Sequence, residues 1–320
     1  MHILVTGGAG FIGCNFVRHI LNDFKITVID KLSYGGRLEN LNGIRDKIEF
    51  VKADICDRSK IKEYVRNCDI IVNFAAESHV DRSIFLPEDF IKTNFYGVFV
   101  LLELARKYDI KVIHISTDEV YGSIKEGSFD ECSRLNPSSP YSASKASADL
   151  LCMAYYKTYS LPVIITRSSN NYGPYQMPEK FIPKTIIFGI NNRKIPVYGD
   201  GTNVRDWVYV KDNCEAIALV MDKGKSGQIY NIASGNEKQN LDVVKLILEL
   251  LQKDNSLIEF VKDRPGHDKR YSIKREKILE LGWKPKVGFI EGLKKTISWY
   301  KDNEWWWKPL LKKVNYHELF

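Results

Sequence analysis

The sequence predicts an α/β protein, a doubly wound parallel sheet with a smaller C-terminal lobe. Three observations carry that expectation. Short apolar runs recur at 3–5, 26–29, 69–74, 112–115 and 163–166, with helical stretches between many of them. The first run opens directly into the turn TGGAGFIG and an apolar helix, and the second ends in an acid, Asp30. Strands alternating with helices in this way form right-handed βαβ units, so the sheet is parallel.

Taken in order, the run at 3–5 is a buried strand that TGGAGFIG joins to a helix over 11–21. Gly7, Gly10 and Gly13 permit a tight turn and a close approach of backbone to a pyrophosphate. The helix beginning at Phe11 and Ile12 offers its unpaired N–H groups to the phosphates. Asp30 follows Gly7 by 23 residues, where a carboxylate can hold ribose hydroxyls and repel a 2′-phosphate. That favours NAD over NADP, although the neighbouring Lys31 could tolerate the extra phosphate.

A third strand over 47–52 ends near Asp54 and Ile55, where an adenine would sit. The fourth, over 69–74, runs into Ala75, Ala76 and Ser78, small residues that let the cofactor's middle lie against backbone. A long helix over 87–107 carries Thr93. A strand at 112–115, a helix at 141–159 and a strand at 163–166 complete a Rossmann-like sheet. Residues 1–170 form the NAD-binding domain, with segments from about 204–235 returning to it, and 171–320 form mainly a substrate-binding lobe. In that lobe Pro178 and Glu179 suit the first turn of a helix reaching about 190. Further helices fall near 212–222, 240–252, 274–281 and 289–301, and the aromatic cluster at 299–307 packs the lobe.

The chemistry concentrates at 112–145. A strand ends in Thr117, Asp118 and Glu119, and some twenty residues on Tyr141 and Lys145 stand four apart on one helix face. A free phenol, with pKa about 10, is a poor base at neutral pH. A nearby ammonium and a cationic nicotinamide would stabilise its phenolate. Adjacent carboxyls in a dry site repel each other and keep one protonated. Consecutive strand residues face opposite ways, so both can serve one substrate only if the chain turns right after Thr117.

A net charge of +7 without a Lys/Arg block argues against a nucleic-acid partner and is compatible with small anionic ligands. The six cysteines are scattered, with no CxxC or metal-ligand spacing, so no metal is expected and free thiols in a reducing compartment are. No signal peptide and no membrane span are expected, which points to a cytoplasmic protein.

Together TGGAGFIG, AAESHVDRS, STDEVYG, YSASK, SNNYGPYQMPEK, RDWVYVKD and DRPGHDKRY resemble the dTDP-glucose 4,6-dehydratases, extended short-chain dehydrogenases/reductases. The resemblance runs from Met1 to at least Trp299. It implies an NAD-dependent hydro-lyase that oxidises C4 of dTDP-glucose, eliminates water across C5 and C6, and returns hydride to C6. Tyr141 would be the base at C4, tuned by Lys145, with Thr117 bonding the C4 oxygen. Asp118 would be the acid at the C6 hydroxyl and Glu119 the base at C5. Asn171 would join the cofactor contacts. His79, Asn170, Lys180, Phe181, Pro196, Tyr198, Arg205, Asn240, Arg264, His267 and Tyr271 would hold the nucleotide sugar. Relatives also imply a homodimer through the helices at 87–107 and 141–159. The alternatives are a UDP-sugar 4-epimerase or decarboxylase on the same scaffold, which lack the Asp-Glu pair, and a non-catalytic nucleotide-binding protein, which would lose the Tyr-Lys pair.

Overall fold

The structure, a computed structural model, describes residues 1–263 and 265–311. Strand β1 (His2–Thr6) leads to α1 (Phe11–Ile20), β2 (Lys25–Asp30), β3 (Glu49–Lys52), α2 (Arg58–Arg66) and β4 (Ile70–Asn73). Then come α3 (Val80–Phe85), α4 (Pro87–Phe90), a π-helical segment (Ile91–Tyr96), α5 (Gly97–Tyr108) and β5 (Lys111–Thr117). Helix α6 (Pro140–Tyr159) and β6 (Val163–Ser168) close the first half. The second half holds β7 (Asn170–Tyr172), α7 (Phe181–Ile190), β8 (Ile195–Tyr198), β9 (Val204–Tyr209), α8 (Val210–Lys223), β10 (Ile229–Ile232) and β11 (Glu237–Gln239). It ends with α9 (Asn240–Leu251), β12 (Ile258–Val261), α10 (Glu276–Glu280), α11 (Phe289–Asp302) and α12 (Glu304–Leu311).

Seven strands pair in the order β10-β6-β5-β4-β1-β2-β3, all parallel. The doubly wound, Rossmann-like sheet expected from the sequence is therefore present. Alternation along its strands loads both faces. Ile3, Val5, Val28 and Ile113 pack under α1 and α8, while Leu4, Ile29, Val112 and Ile165 pack under α2, α5 and α6. The chain crosses from one side of β1 to the other between β3 and β4, which opens a crevice at the strands' carboxyl ends. A third core joins α7, α9, α11 and α12 in the lobe, where small sheets β11-β9-β7 and β12-β8 form.

Three expectations change. The helix over 87–107 is broken, because a π-helical segment intervenes and turns Thr93 and Asn94 inward. Pro178 and Glu179 lie in a turn before α7, which starts at Phe181 with Lys180 as its extended N-cap. The tryptophan-rich segment is itself a helix, α12, despite Pro309 near its end.

Candidate active site

The glycine turn is shaped for something laid against its backbone. Gly7 has φ +68°, and a Cβ there would come within 2.5 Å of the Ala75 nitrogen; at Gly13 it would meet the Gly7 carbonyl oxygen at 2.3 Å. Only glycine tolerates both contacts, and the cleft above them stays open. Its walls include Gly7, Gly10, Phe11, Ile12, Gly13, Asp30, Asp54, Ile55, Ala75, Ala76, Ser78, Thr93, Tyr141 and Lys145. These are all the expected cofactor residues but one. Asn171 lines the second cavity instead, its amide donating to the Ser169 carbonyl.

Asp30 accepts N–H bonds from Ala9 at 3.0 Å and Leu32 at 2.8 Å, which fixes its carboxylate at the cleft edge with acceptor capacity to spare. Lys31 also lines the cleft, but its ammonium is engaged there, lying 3.1 Å from Glu77 and donating to Thr93 Oγ1 at 3.0 Å. The carboxylate, not the lysine, therefore sets the polarity at the ribose edge. The cleft is built for NAD.

The acid-base group lies where β5 ends. Thr117 keeps extended backbone and caps a 3-10 turn over Asp118–Tyr121, its hydroxyl accepting the Glu119 N–H at 3.3 Å. The chain thus turns right after Thr117. Asp118 is only 3% exposed, while Glu119 reaches into the second cavity. Burial first, and then the Glu119 charge, hold the Asp118 carboxyl well above the usual carboxylate range. Of the pair, Asp118 is therefore the member that holds a proton more readily.

Helix α6 starts with a capping box, the Ser139 hydroxyl accepting from Ser142 N–H while Ser142 returns to the Ser139 N–H, and with Pro140 in its first turn. That start puts Tyr141 and Lys145 in its first two turns, over the end of β5. Tyr141 is hydrogen-bonded to Thr117, yet burial, reinforced by Glu119, pushes its phenol above the ordinary value. Lys145 points its ammonium at the Ile115 carbonyl oxygen, 2.6 Å away. Burial pushes Lys145 down to about 8, an effect that Asp149 opposes. The expected lowering of the phenol's pKa thus does not come from these side chains alone.

Beneath the pair runs a buried polar chain. Thr6 donates to Asn73, whose amide meets His114 Nδ1 at 3.2 Å, and His114 Nε2 lies 3.6 Å from Asp149. Arg167 pairs with Asp149 at 2.8 Å and donates to the Tyr121 hydroxyl at 2.7 Å, which donates in turn to Asn231. Tyr121 closes the turn that carries Asp118 and Glu119, so this network ties that turn to α6. None of these links was legible as a motif.

The second cavity opens beside the cofactor cleft, and Ser78, Gln176 and Lys180 line both. It gathers His79, Asn170, Phe181, Pro196, Tyr198, Arg205, Asn240, His267 and Tyr271 as expected. Thr117 lines neither cavity but sits under Tyr141. Arg264 lies outside the described residues. The Arg205 guanidinium lies 4.2 Å from the Tyr271 ring centroid and donates to the Asp268 carbonyl at 2.8 Å. Sequence reasoning missed Glu179 and Lys184 in this wall. Burial raises the Glu179 carboxyl, whose oxygens have no hydrogen-bond partner among the described residues, and pushes Lys184 down to about 8. The sequence reads Glu179 as part of a helix start; the signal available is the polar PEK just ahead of the mostly apolar run over 181–190.

The family model described as GDP-mannose 4,6 dehydratase matches residues 4–296. The dTDP-glucose 4,6-dehydratase of Streptomyces niveus is 48% identical over 97% of this chain and 96% of its own. The chain belongs to the dTDP-glucose 4,6-dehydratase family. Among solved structures, DesIV, the dTDP-glucose 4,6-dehydratase of Streptomyces venezuelae crystallised with NAD bound, is 47% identical. It superposes with a TM-score of 0.95 over 97% of this chain and 100% of DesIV. The UDP-glucose 4-epimerase of Thermotoga maritima shares the scaffold at TM-score 0.90 but only 32% identity, over 95% of this chain and all of that one. Dehydratase and epimerase thus share a fold, and identity favours the dehydratase family.

Proposed function

We propose that this chain converts dTDP-glucose to dTDP-4-keto-6-deoxyglucose, with the sugar in the second cavity and NAD in the glycine-lined cleft. The observation that carries it is the Asp118–Glu119 turn: one carboxyl buried and shifted toward its protonated form, its neighbour facing the cavity, both within electrostatic reach of Tyr141. An epimerase, which only removes and restores hydrogen at C4, has no use for that pair.

NAD, when bound, supplies the acceptor for hydride from C4, its later return to C6, and positive charge beside Tyr141. Tyr141 takes the C4 hydroxyl proton, with Thr117 bonded to the phenol to orient it. Lys145 adds a cation at the nicotinamide end of the cleft. Glu119 removes the C5 proton, which the C4 ketone has acidified, and a proton returns to C5 as hydride reaches C6. Asp118 gives its proton to the departing C6 hydroxyl, so that water leaves. Arg205 and Lys180 face the diphosphate as cations in the cavity wall. The dinucleotide domain is 1–170 with returning segments from about 204–235, the lobe is the remainder, and six unpaired cysteines suit a reducing cytoplasm.

The direct test is incubation of the purified chain with dTDP-glucose and no added cofactor, followed by mass. Loss of one water without net NADH is expected, and a product of unchanged mass would favour epimerase chemistry. Asp118→Asn and Glu119→Gln should each slow water loss by roughly 10²- to 10⁴-fold and spare the first oxidation, read as a transient absorbance of reduced cofactor. Variants that dehydrate at the parent rate would refute these roles.

A further inference from the structure

The tryptophan-rich helix α12 touches no reacting group, yet through one side chain it reaches the turn that borders the cofactor cleft. Trp306 is fully buried, and its indole N–H donates to Asn40 Oδ1 at 2.7 Å. The amide of Asn40 donates in turn to the Ala9 carbonyl at 2.8 Å. Ala9 lies inside TGGAGFIG, and its own N–H is one of the two bonded to Asp30. An indole can only donate and a carbonyl can only accept, so the Asn40 amide has one orientation here. The Arg37 N–H is the second donor to the Ala9 carbonyl, at 3.0 Å, and the Arg37 guanidinium lies 5.7 Å from the Trp306 ring centroid. A continuous path therefore runs from the last described helix, through one buried amide, into the turn that faces the pyrophosphate.

We propose that α12 is a latch on the glycine turn, with Trp306 and Asn40 acting as positioning residues for NAD. A turn rich in glycine gains mobility when unsupported, and binding must then order it at an entropic cost. Fixing the Ala9 carbonyl from outside lowers that cost and slows cofactor loss, because the free turn already has its bound shape. The inference rests on the NAD assignment and is independent of the roles of Asp118 and Glu119. It also gives the lobe's tail a hold on the dinucleotide domain, so that cofactor retention depends on residues more than 260 positions away in the chain.

The test compares Trp306→Phe, which keeps an aromatic ring in the core and deletes the N–H, with Trp307→Phe. Trp307 is equally buried and donates to the Tyr300 carbonyl at 2.7 Å, the same kind of bond with no link to the turn. NAD affinity is measured by titrating the cofactor-stripped full chain, alongside its melting temperature and the cofactor retained after desalting. Trp306→Phe should bind NAD roughly three- to tenfold more weakly, the equivalent of one lost hydrogen bond, with the defect recovered at saturating NAD. Trp307→Phe should lower the melting temperature and leave NAD affinity at the parent value. Asn40→Asp keeps the acceptor for the indole and deletes the donor to Ala9, and should weaken NAD at least as much as Trp306→Phe. Equal affinity in Trp306→Phe and the parent overturns the latch. Equal weakening in both tryptophan variants also overturns it, by showing a general loss of stability. A parent chain that binds no NAD overturns the cofactor assignment together with the latch.

Discussion

Asp118 and Glu119 are neighbours with opposite surroundings, and the difference comes from one backbone turn. On a continuing strand Asp118 and Glu119 would face opposite sides of the sheet. The 3-10 turn capped by Thr117 instead buries the first carboxyl and leaves the second on the cavity wall. Lys145, one helix turn beyond Tyr141, pays for its position with a buried charge. Its folded-state value of about 8 lies below its unfolded 10.5, so below pH 8 both states are charged and folding carries the full cost. From pH 8 to 10.5 the unfolded chain binds more protons than the folded one, and stability rises with pH. A shift of this size corresponds to about 3 kcal/mol. Lys145→Met removes the term, so in NAD-free protein its stability advantage over the parent should shrink by about that much between pH 7 and pH 10.5. Urea titrations at the two pH values measure it, and an advantage that stays constant would rule the buried charge out. The residues themselves were legible because STDEVYG and YSASK each stand in one short stretch. The direction of the Tyr141 shift was not legible, because it depends on burial by residues distant in sequence.

The π-helical segment Ile91–Tyr96 shows what an element contributes beyond its length. Periodicity reads 87–107 as one helix, and the wider turn inside it leaves no mark in composition. Its effect is local: Asn94 accepts the Glu77 N–H at 2.8 Å and donates to the Glu77 carbonyl and to Ser144 Oγ, both at 2.9 Å. One buried side chain thus clamps the loop after β4 to α6, fixing Glu77 and Ser78 in the cleft wall. Asn94→Ala should lower stability by about 2–4 kcal/mol, because buried backbone groups lose their partners, and should weaken NAD. Lys92→Ala, on the exposed side of the same segment, should change stability by less than about 0.5 kcal/mol. Denaturation of the two variants side by side checks this, and similar losses in both would remove any special role for Asn94. Strands were legible where patterns are local, as with Asp30 ending β2. The start of α7 was not, because Pro178 and Glu179 carry helix-start chemistry while the chain stays in a turn there, with Glu179 in the wall of the second cavity.

For the whole molecule, most of the exposed large apolar residues fall along two neighbouring helical stretches. On α6 the exposed positions Ala143, Ser147, Leu150 and Ala154 form one stripe at helical spacing, and Leu150 is 63% exposed. Alongside, Phe85, Leu86, Ile91, Phe95 and Tyr96 are exposed on α3, in the residue that follows it and in the π segment, with Phe85 at 76%. The segments from α3 to α5 all pack against α6, so the two sets share one side of the protein. A small-residue stripe beside projecting aromatics lets a second helix pair approach closely, which is the geometry of a two-fold helical bundle. That patch suits the homodimer that the resemblance implies. It also connects assembly to chemistry, since the opposite face of α6 carries Tyr141 and Lys145. Leu150→Lys puts a charge at the centre of the stripe without touching the core, so the fold should persist while the dimer dissociates. Sedimentation should show monomer at concentrations where the parent chain is dimeric, with activity falling in parallel as α6 loses its outer support. If the parent chain sediments as a monomer, or Leu150→Lys remains dimeric, this face is not the interface and its exposed aromatics need another occupant.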